Sequence, residues 1–365
     1  MAQNEAPAPD PDPPGPAGDA RVAVTEGEDF ACLGYVECLR YCLERRGERR
    51  SKTLLMGMSG EAFRLCYDRN DPERGIGVVF HNPIRAACAA SGYACEVVYH
   101  RELADAMEAL RRHVAGAGLP ILHTSEDWVV VQADSSDSGR MVARHADGRV
   151  AHWPWQHLQR IWLEEPGLLE LGLQGYYWLA VGEKEREPDE REAAMGSLRR
   201  GVRMLQRRTR IDDCAAGLAA YDELLDSLLR KQRSDPQRVR SVRKYALWVG
   251  GPLAYVRDSR RAAAQYLTMI QPHFDEETQA HLREAADGFR HAADALSEIP
   301  ALEVPAGVSD QGELGAAERK VLRAFAALRR RAARRLRRAW QAEEEALLEI
   351  HRALESAEKH AKQKE

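Results

Sequence analysis

Thiols and imidazoles are the groups in this chain that could do covalent chemistry, and the first half holds the candidates. Among its 365 residues are seven cysteines and twelve histidines. Cys32 lies at the start of a helical pattern, where free backbone N–H groups and the helix dipole lower a thiol pKa. Cys38 and Cys42 fall deeper in the same pattern. The alternative for all three is a place in the core as small apolar side chains. His123 and His145 stand near strand ends, from which an imidazole could reach a thiol across the fold, since nucleophile and base need only be neighbours in space. The competing reading of each is a structural or surface histidine. Ser59 with Glu61, and His81 with Asn82, sit in two further motifs that could border a pocket, although helix capping explains both. No histidine pairs with another His, Cys or carboxylate at zinc-site spacing, and no glycine-rich phosphate loop is present, so no metal and no cofactor is expected.

These groups are positioned by short elements. In FACLGYVECLRYCLERRG (Phe30–Gly47) Leu33, Val36, Leu39, Tyr41 and Leu43 recur at helical spacing, and Gly47 is a natural stop. Ser59 can cap a short helix carrying Ala62, Phe63 and Leu65, with Glu61 in its first turn. In HNPIRAACAASGY, Asn82 is the expected N-cap, Pro83 the first helical residue and Gly92 the stop. Beyond it, Glu96–Tyr99 predicts a strand and Glu102–Val114 an amphipathic helix. Strands follow at Leu119–His123, Trp128–Ala133, Met141–Arg144 and Val150–His152, with Asp147-Gly148 as a hairpin turn. Trp153, Trp155 and Trp162 are read as packing around a helix, and Tyr176–Val181 as a last strand. Successive strands arriving after helices predict an α+β domain with a largely antiparallel sheet.

The order of a cysteine-bearing helix, a Leu-Met-Gly-Met-Ser-Gly turn, a further helix and late strands resembles the papain-like C39 peptidase fold. Within it, the chain is most similar to the butirosin biosynthesis protein H type, in which a cysteine–histidine pair transfers acyl groups. The resemblance runs over about residues 28–182, and GLAAYDELLDSL and RDSRRAAAQYL are similar to that family's helical second half. Counted back from Gly47, the family's nucleophile position falls at Gly34, which leaves Cys32 out of register. The base position, opening the strand before Val129-Val130-Val131, is Trp128. The resemblance therefore implies a catalytically degenerate member that serves as a binding or accessory module. The alternative is an active acyltransferase or peptidase using Cys32 with His123 or His145.

Composition bounds the rest. A net charge of −4 exerts no global pull toward nucleic acid or membrane. An odd number of cysteines without Cys-x-x-Cys pairs suggests free thiols in a reducing compartment. With no apolar run of membrane-spanning length and no signal-peptide pattern, a soluble cytoplasmic protein is expected. Residues 1–20 read as a disordered Pro-rich tail, 21–182 as the papain-like domain, 183–192 (EKEREPDERE) as a charged linker, and 193–365 as an all-helical domain. A helix break is expected at Gly250-Gly251-Pro252 and a loop at 300–315. In the last helix Val321, Phe325, Leu328, Ala332 and Leu336 make one stripe, opposite Arg330, Arg331, Arg334, Arg337 and Arg338. Glu343, Glu344, Glu345 and Glu349 follow and would oppose a phosphate track, so nucleic acid is not the expected partner. A small molecule, an acyl carrier and another protein all stay open as partners, as does the oligomeric state.

Overall fold

Apolar spacing of two and of 3.6 residues alternates along the chain, and the computed structural model follows it closely. It describes residues 34–71, 83–137, 139–163, 175–206, 210–211, 214–230, 235–302 and 316–364. Cys32, His81, Asn82, the tail over 1–20 and most of the expected 300–315 loop lie outside the described residues.

The first helices are α1 (Gly34–Glu44) and α2 (Lys52–Ser59), followed by a single 3₁₀ turn (Glu61–Phe63) and β1 (Cys66–Asp68). Then come α3 (Pro83–Ala90), β2 (Tyr93–His100), α4 (Leu103–Ala115), β3 (Pro120–His123), β4 (Trp128–Ala133), β5 (Arg140–His145), β6 (Val150–Pro154), α5 (Trp155–Ile161) and β7 (Tyr176–Lys184). The segment LLMGMSG is helical rather than a turn. Ser51 caps α2 by accepting from Leu54 N at 3.1 Å, and Gly60 ends it at φ 87°, a left-handed conformation that favours glycine. Ser59 is thus the last residue of α2; its hydroxyl still accepts from Glu61 N at 3.2 Å.

Strands β2–β7 form one antiparallel six-stranded sheet in the order β2-β7-β3-β4-β5-β6. Side chains alternate across it. Ile121, Val130, Leu179 and Val181 pack with α1, α2 and α3. Leu122, Val129, Val131, Met141, Ala143 and Trp178 pack with α4 and α5 on the other side, where Trp153, Trp155 and Trp162 are buried as expected.

The second half holds α6 (Glu190–Gln206), β8 (Arg210–Ile211), β9 (Cys214–Ala216), α7 (Leu218–Leu229), α8 (Asp235–Gly250), α9 (Pro252–Ile270), α10 (Glu276–Ser297) and α11 (Ala316–Lys364). It is predominantly helical, but not entirely so. β9 pairs antiparallel with β1 (Cys66↔Ala216, Tyr67↔Ala215, Asp68↔Cys214) and with β8, giving a three-stranded sheet across both halves. Cys-Ala-Ala has no β-branched or aromatic residue to signal a strand, and its partner lies far away in sequence. Half of the expected linker is likewise absorbed: residues 183–184 continue β7 and 190–192 open α6. Nor does a boundary divide the core. Leu39, Met56, Phe63 and Ile84 share one buried cluster with Leu198, Leu267, Phe289 and Ile350.

Candidate functional site

The corner where α1 begins is built by the β3–β4 hairpin. Its turn is held by Thr124, whose N–H and hydroxyl donate to Asp127 O at 3.0 and 2.8 Å and whose Oγ1 accepts from Asp127 N at 3.2 Å. The Asp127 carboxylate then accepts from Trp128 N at 2.7 Å. With that hairpin fixed, α1 docks by its first residue. A Cβ on Gly34 would meet Asp127 Oδ1 at 2.8 Å, Ala146 Cβ at 2.9 Å and Trp128 Cβ at 3.1 Å. A side chain there would require these neighbours to shift.

Trp128 itself lies between two rings. His123, its register partner on β3, stacks on the indole at 4.7 Å with 20° between planes, and Tyr35 meets it edge-on at 5.6 Å. Because Ile121 faces α1, His123 two residues on shares that face. Gly34, Trp128 and His123 are therefore brought together. His145 is not. It pairs with Val129, alternates with Met141 and Ala143, and packs edge-on against Trp153 at 5.2 Å. Those residues lie on the face covered by α4 and α5, with the sheet between them and α1. The His145 ring thus turns away from Gly34 and Trp128, while the residue itself borders a small cavity with Glu37, Cys38 and Tyr41 of α1. Cys38 and Cys42 are buried in the core below the corner.

Behind the corner lies a buried polar hub. Arg64 Nε contacts Glu61 Oε1 at 2.7 Å and Oε2 at 2.9 Å, and Tyr255 OH donates to Glu61 Oε2 at 2.9 Å. The Tyr35 hydroxyl reaches into this group; burial, then the Glu61 charge, pushes its pKa well up. Arg260 Nη1 donates to Arg64 O at 2.7 Å, and the same guanidinium pairs with Glu343 through Nε–Oε1 at 2.6 Å and Nη2–Oε2 at 2.8 Å. Tyr221 OH donates to Glu343 Oε1 at 2.5 Å. Ser59 and Glu61 thus belong to a buried polar hub, and none of the described cavities is lined by them.

Sequence reasoning missed Arg64, Tyr255, Arg260, Tyr221 and Glu343. Two of them had a signal. Arg260 interrupts the stripe Val256, Ala263, Leu267, and Glu343 interrupts Leu336, Ala339, Ala346, Ile350, which marks charges that must find a buried partner. Glu343, read from sequence as opposing a phosphate track, is fully buried and engaged with Arg260.

Elsewhere Asp134 accepts from Ser136 N at 2.9 Å and Ser136 Oγ at 2.5 Å, and meets His152 Nδ1 at 2.7 Å. The Ser136 and His152 hydrogen bonds hold its carboxyl well below the usual range. The serine points at the aspartate rather than the imidazole, so this is no nucleophile–base pair. Asp275, Glu277 and His360 lie within 4.8 Å of one another, but Asp275 is committed as the cap of α10, accepting from Thr278 N at 3.0 Å. No helix of the described residues is long and apolar enough to cross a membrane. Compared with known proteins, the chain matches no family model and no curated protein.

Proposed function

We propose that this chain is a degenerate papain-like protein of the C39-like, butirosin biosynthesis protein H type, and that it works as a binding or accessory module rather than by cysteine catalysis. The observation that carries the reading is the fit of Gly34. The position that the resemblance assigns to the nucleophile touches the position it assigns to the base, and neither holds a reactive group. An α1 able to carry a thiol there would have to stand off from Asp127, Trp128 and Ala146, which approach a Cβ to 2.8–3.1 Å. Trp128 cannot accept a proton, and its indole carries His123 stacked upon it.

A second reading retains one supporting fact: His123 lies on the same side of the sheet as α1, the helix that the cysteine-bearing segment leads into. Thiol kinetics separate the two. The protein is treated with chloroacetamide at graded pH and the rate at Cys32 is followed by peptide mass spectrometry. The degenerate module gives a rate that rises with an ordinary thiol pKa of about 8.5 and is unchanged in His123→Ala. A rate plateau reaching down to about pH 4–6, lost in His123→Ala, would establish the thiolate–imidazolium pair and overturn the proposal.

A further inference from the structure

A cavity of about 150 Å³ lies between β1, α7 and α8, in a part of the molecule that the papain-like reading does not use. Three element faces meet there. β1 and the residue after it present Tyr67 and Arg69 at i, i+2. α7 presents Leu224, Ser227 and Leu228 at i, i+3, i+4, and α8 presents Ser241, Lys244, Tyr245 and Trp248 at i, i+3, i+4, i+7. Tyr67, Tyr245 and Trp248 are all at most 4% exposed, as is Leu228, so the walls are aromatic and aliphatic. An apolar cavity of about this volume is known to admit a single benzene ring.

The polar groups fix the charge of an occupant. Arg69 is already neutralised by Glu223 at 2.8 Å and Asp226 at 2.5 Å, and Arg230 stands 3.7 Å from Asp226. Lys244 differs. Its ammonium donates to Arg69 O at 2.7 Å, and no carboxylate pairs with it among the described residues. Ser227 Oγ is shielded from solvent and engaged with the Tyr67 phenol beside it. A half-buried cation with no carboxylate partner among the described residues, bordering an aromatic-walled cavity beside a solvent-shielded hydroxyl, calls for an anionic acceptor attached to a flat apolar body.

We propose that this cavity binds a small aromatic acid, one ring bearing a carboxylate, with the ring between Tyr67, Tyr245 and Trp248 and the carboxylate on Lys244 and Ser227. The proposal does not depend on the papain-like reading, since none of its residues belongs to the α1 corner.

Isothermal titration with benzoate, benzamide, acetate and phenyl phosphate tests it on the full chain. Benzoate binds at one site with a dissociation constant on the order of 0.1–1 mM, the range open to so small a ligand. Benzamide, which keeps the ring without the charge, and acetate, which keeps the charge without the ring, bind at least about tenfold more weakly. Lys244→Gln, on the cavity rim, loses about tenfold for benzoate but leaves benzamide unchanged. Leu228→Trp, shown by circular dichroism to be folded, fills the cavity and abolishes binding. The absence of saturable benzoate binding at ~10 mM would overturn the proposal, as would benzamide binding as tightly as benzoate or benzoate affinity surviving in Lys244→Gln. Phenyl phosphate binding more tightly than benzoate would overturn the choice of carboxylate.

Discussion

At Gly34 and Gly57 the missing side chain matters more than any side chain present. Gly57 sits inside α2, where glycine ordinarily weakens a helix, because the Tyr266 ring of α9 occupies the space of its Cβ. Gly34 plays the same part for α1 against β4. Its replacement by alanine or by cysteine forces overpacking at three atoms, among them Trp128 Cβ on β4 and Ala146 Cβ in the turn after β5. Gly34→Ala and Gly34→Cys are therefore each expected to lower stability by about 1–3 kcal/mol, read as a shift in the urea midpoint, and Gly34→Cys to gain no peptidase or acyl-transfer activity. An unchanged midpoint would show that α1 stands further from the hairpin than described. The thiols supply a pH dependence. Burial pushes Cys42 and Cys66 each up to about 12. Raised folded-state values leave their contribution intact below the unfolded thiol pKa of about 8.5, and remove it as pH climbs toward 12. Urea midpoints should fall between about pH 8.5 and 10.5, and fall less steeply in a Cys42→Ala, Cys66→Ala double variant. Equal slopes would contradict the burial of these thiols. None of this was legible beforehand: a glycine looks the same in a sequence whether it frees a turn or admits a ring.

Among the elements, α11 was read most accurately from sequence. Val321, Phe325, Ala332 and Leu336 are buried and Leu328 partly so, while Arg330, Arg331, Arg334, Arg337 and Arg338 are exposed, as the 3.6-residue period requires. Helix ends at Gly47, Gly92 and the Gly250-Gly251-Pro252 break were equally legible, since each has a local cause. Pairing between distant elements has no local cause, and there the reading failed. α9 and α11 are joined by Arg260 and Glu343, both fully buried, whose remaining contacts reach Tyr221 on α7 and the Arg64 carbonyl. Removing one partner leaves the other charge buried and uncompensated. Glu343→Ala is expected to cost about 3–5 kcal/mol. The paired replacement Arg260→Met with Glu343→Leu should cost less than either single change, because no orphaned charge remains. Thermal melting of the two single variants and the double variant checks this. A double variant no more stable than Glu343→Ala would show that the charges contribute more than their mutual compensation.

For the whole molecule, composition suggested two domains, and the structure joins the two halves in three ways. The shared cluster runs from α1, α2 and α3 through α6 and α9 to α10 and α11. β9 adds to β1 as a strand from the other half. The polar hub ties the Glu61–Arg64 pair to Tyr255 and Arg260 on α9. The run EKEREPDERE looked like a linker because charged residues clothe any exposed connection, whether or not the elements beside it pack together. Here Arg186 and Pro188 lie against Gly92, whose φ of 80° brings its backbone to the Arg186 carbonyl, and Glu185 N donates to Gly92 O at 2.8 Å. A connection flanked by one continuous core transmits unfolding instead of insulating against it. Urea denaturation should therefore show one transition, coincident by tryptophan fluorescence, which reports mainly the sheet half, and by far-ultraviolet circular dichroism, which reports mainly the helices. Residues 1–188 and 189–365 expressed separately should each be unfolded or aggregated, because each would expose its side of the shared cluster, and mixing them should restore helicity. Two separate transitions, or a stable 189–365 fragment with native helix content, would mean that the halves fold on their own and that the contacts between α2 and α9 are no more than a docking interface.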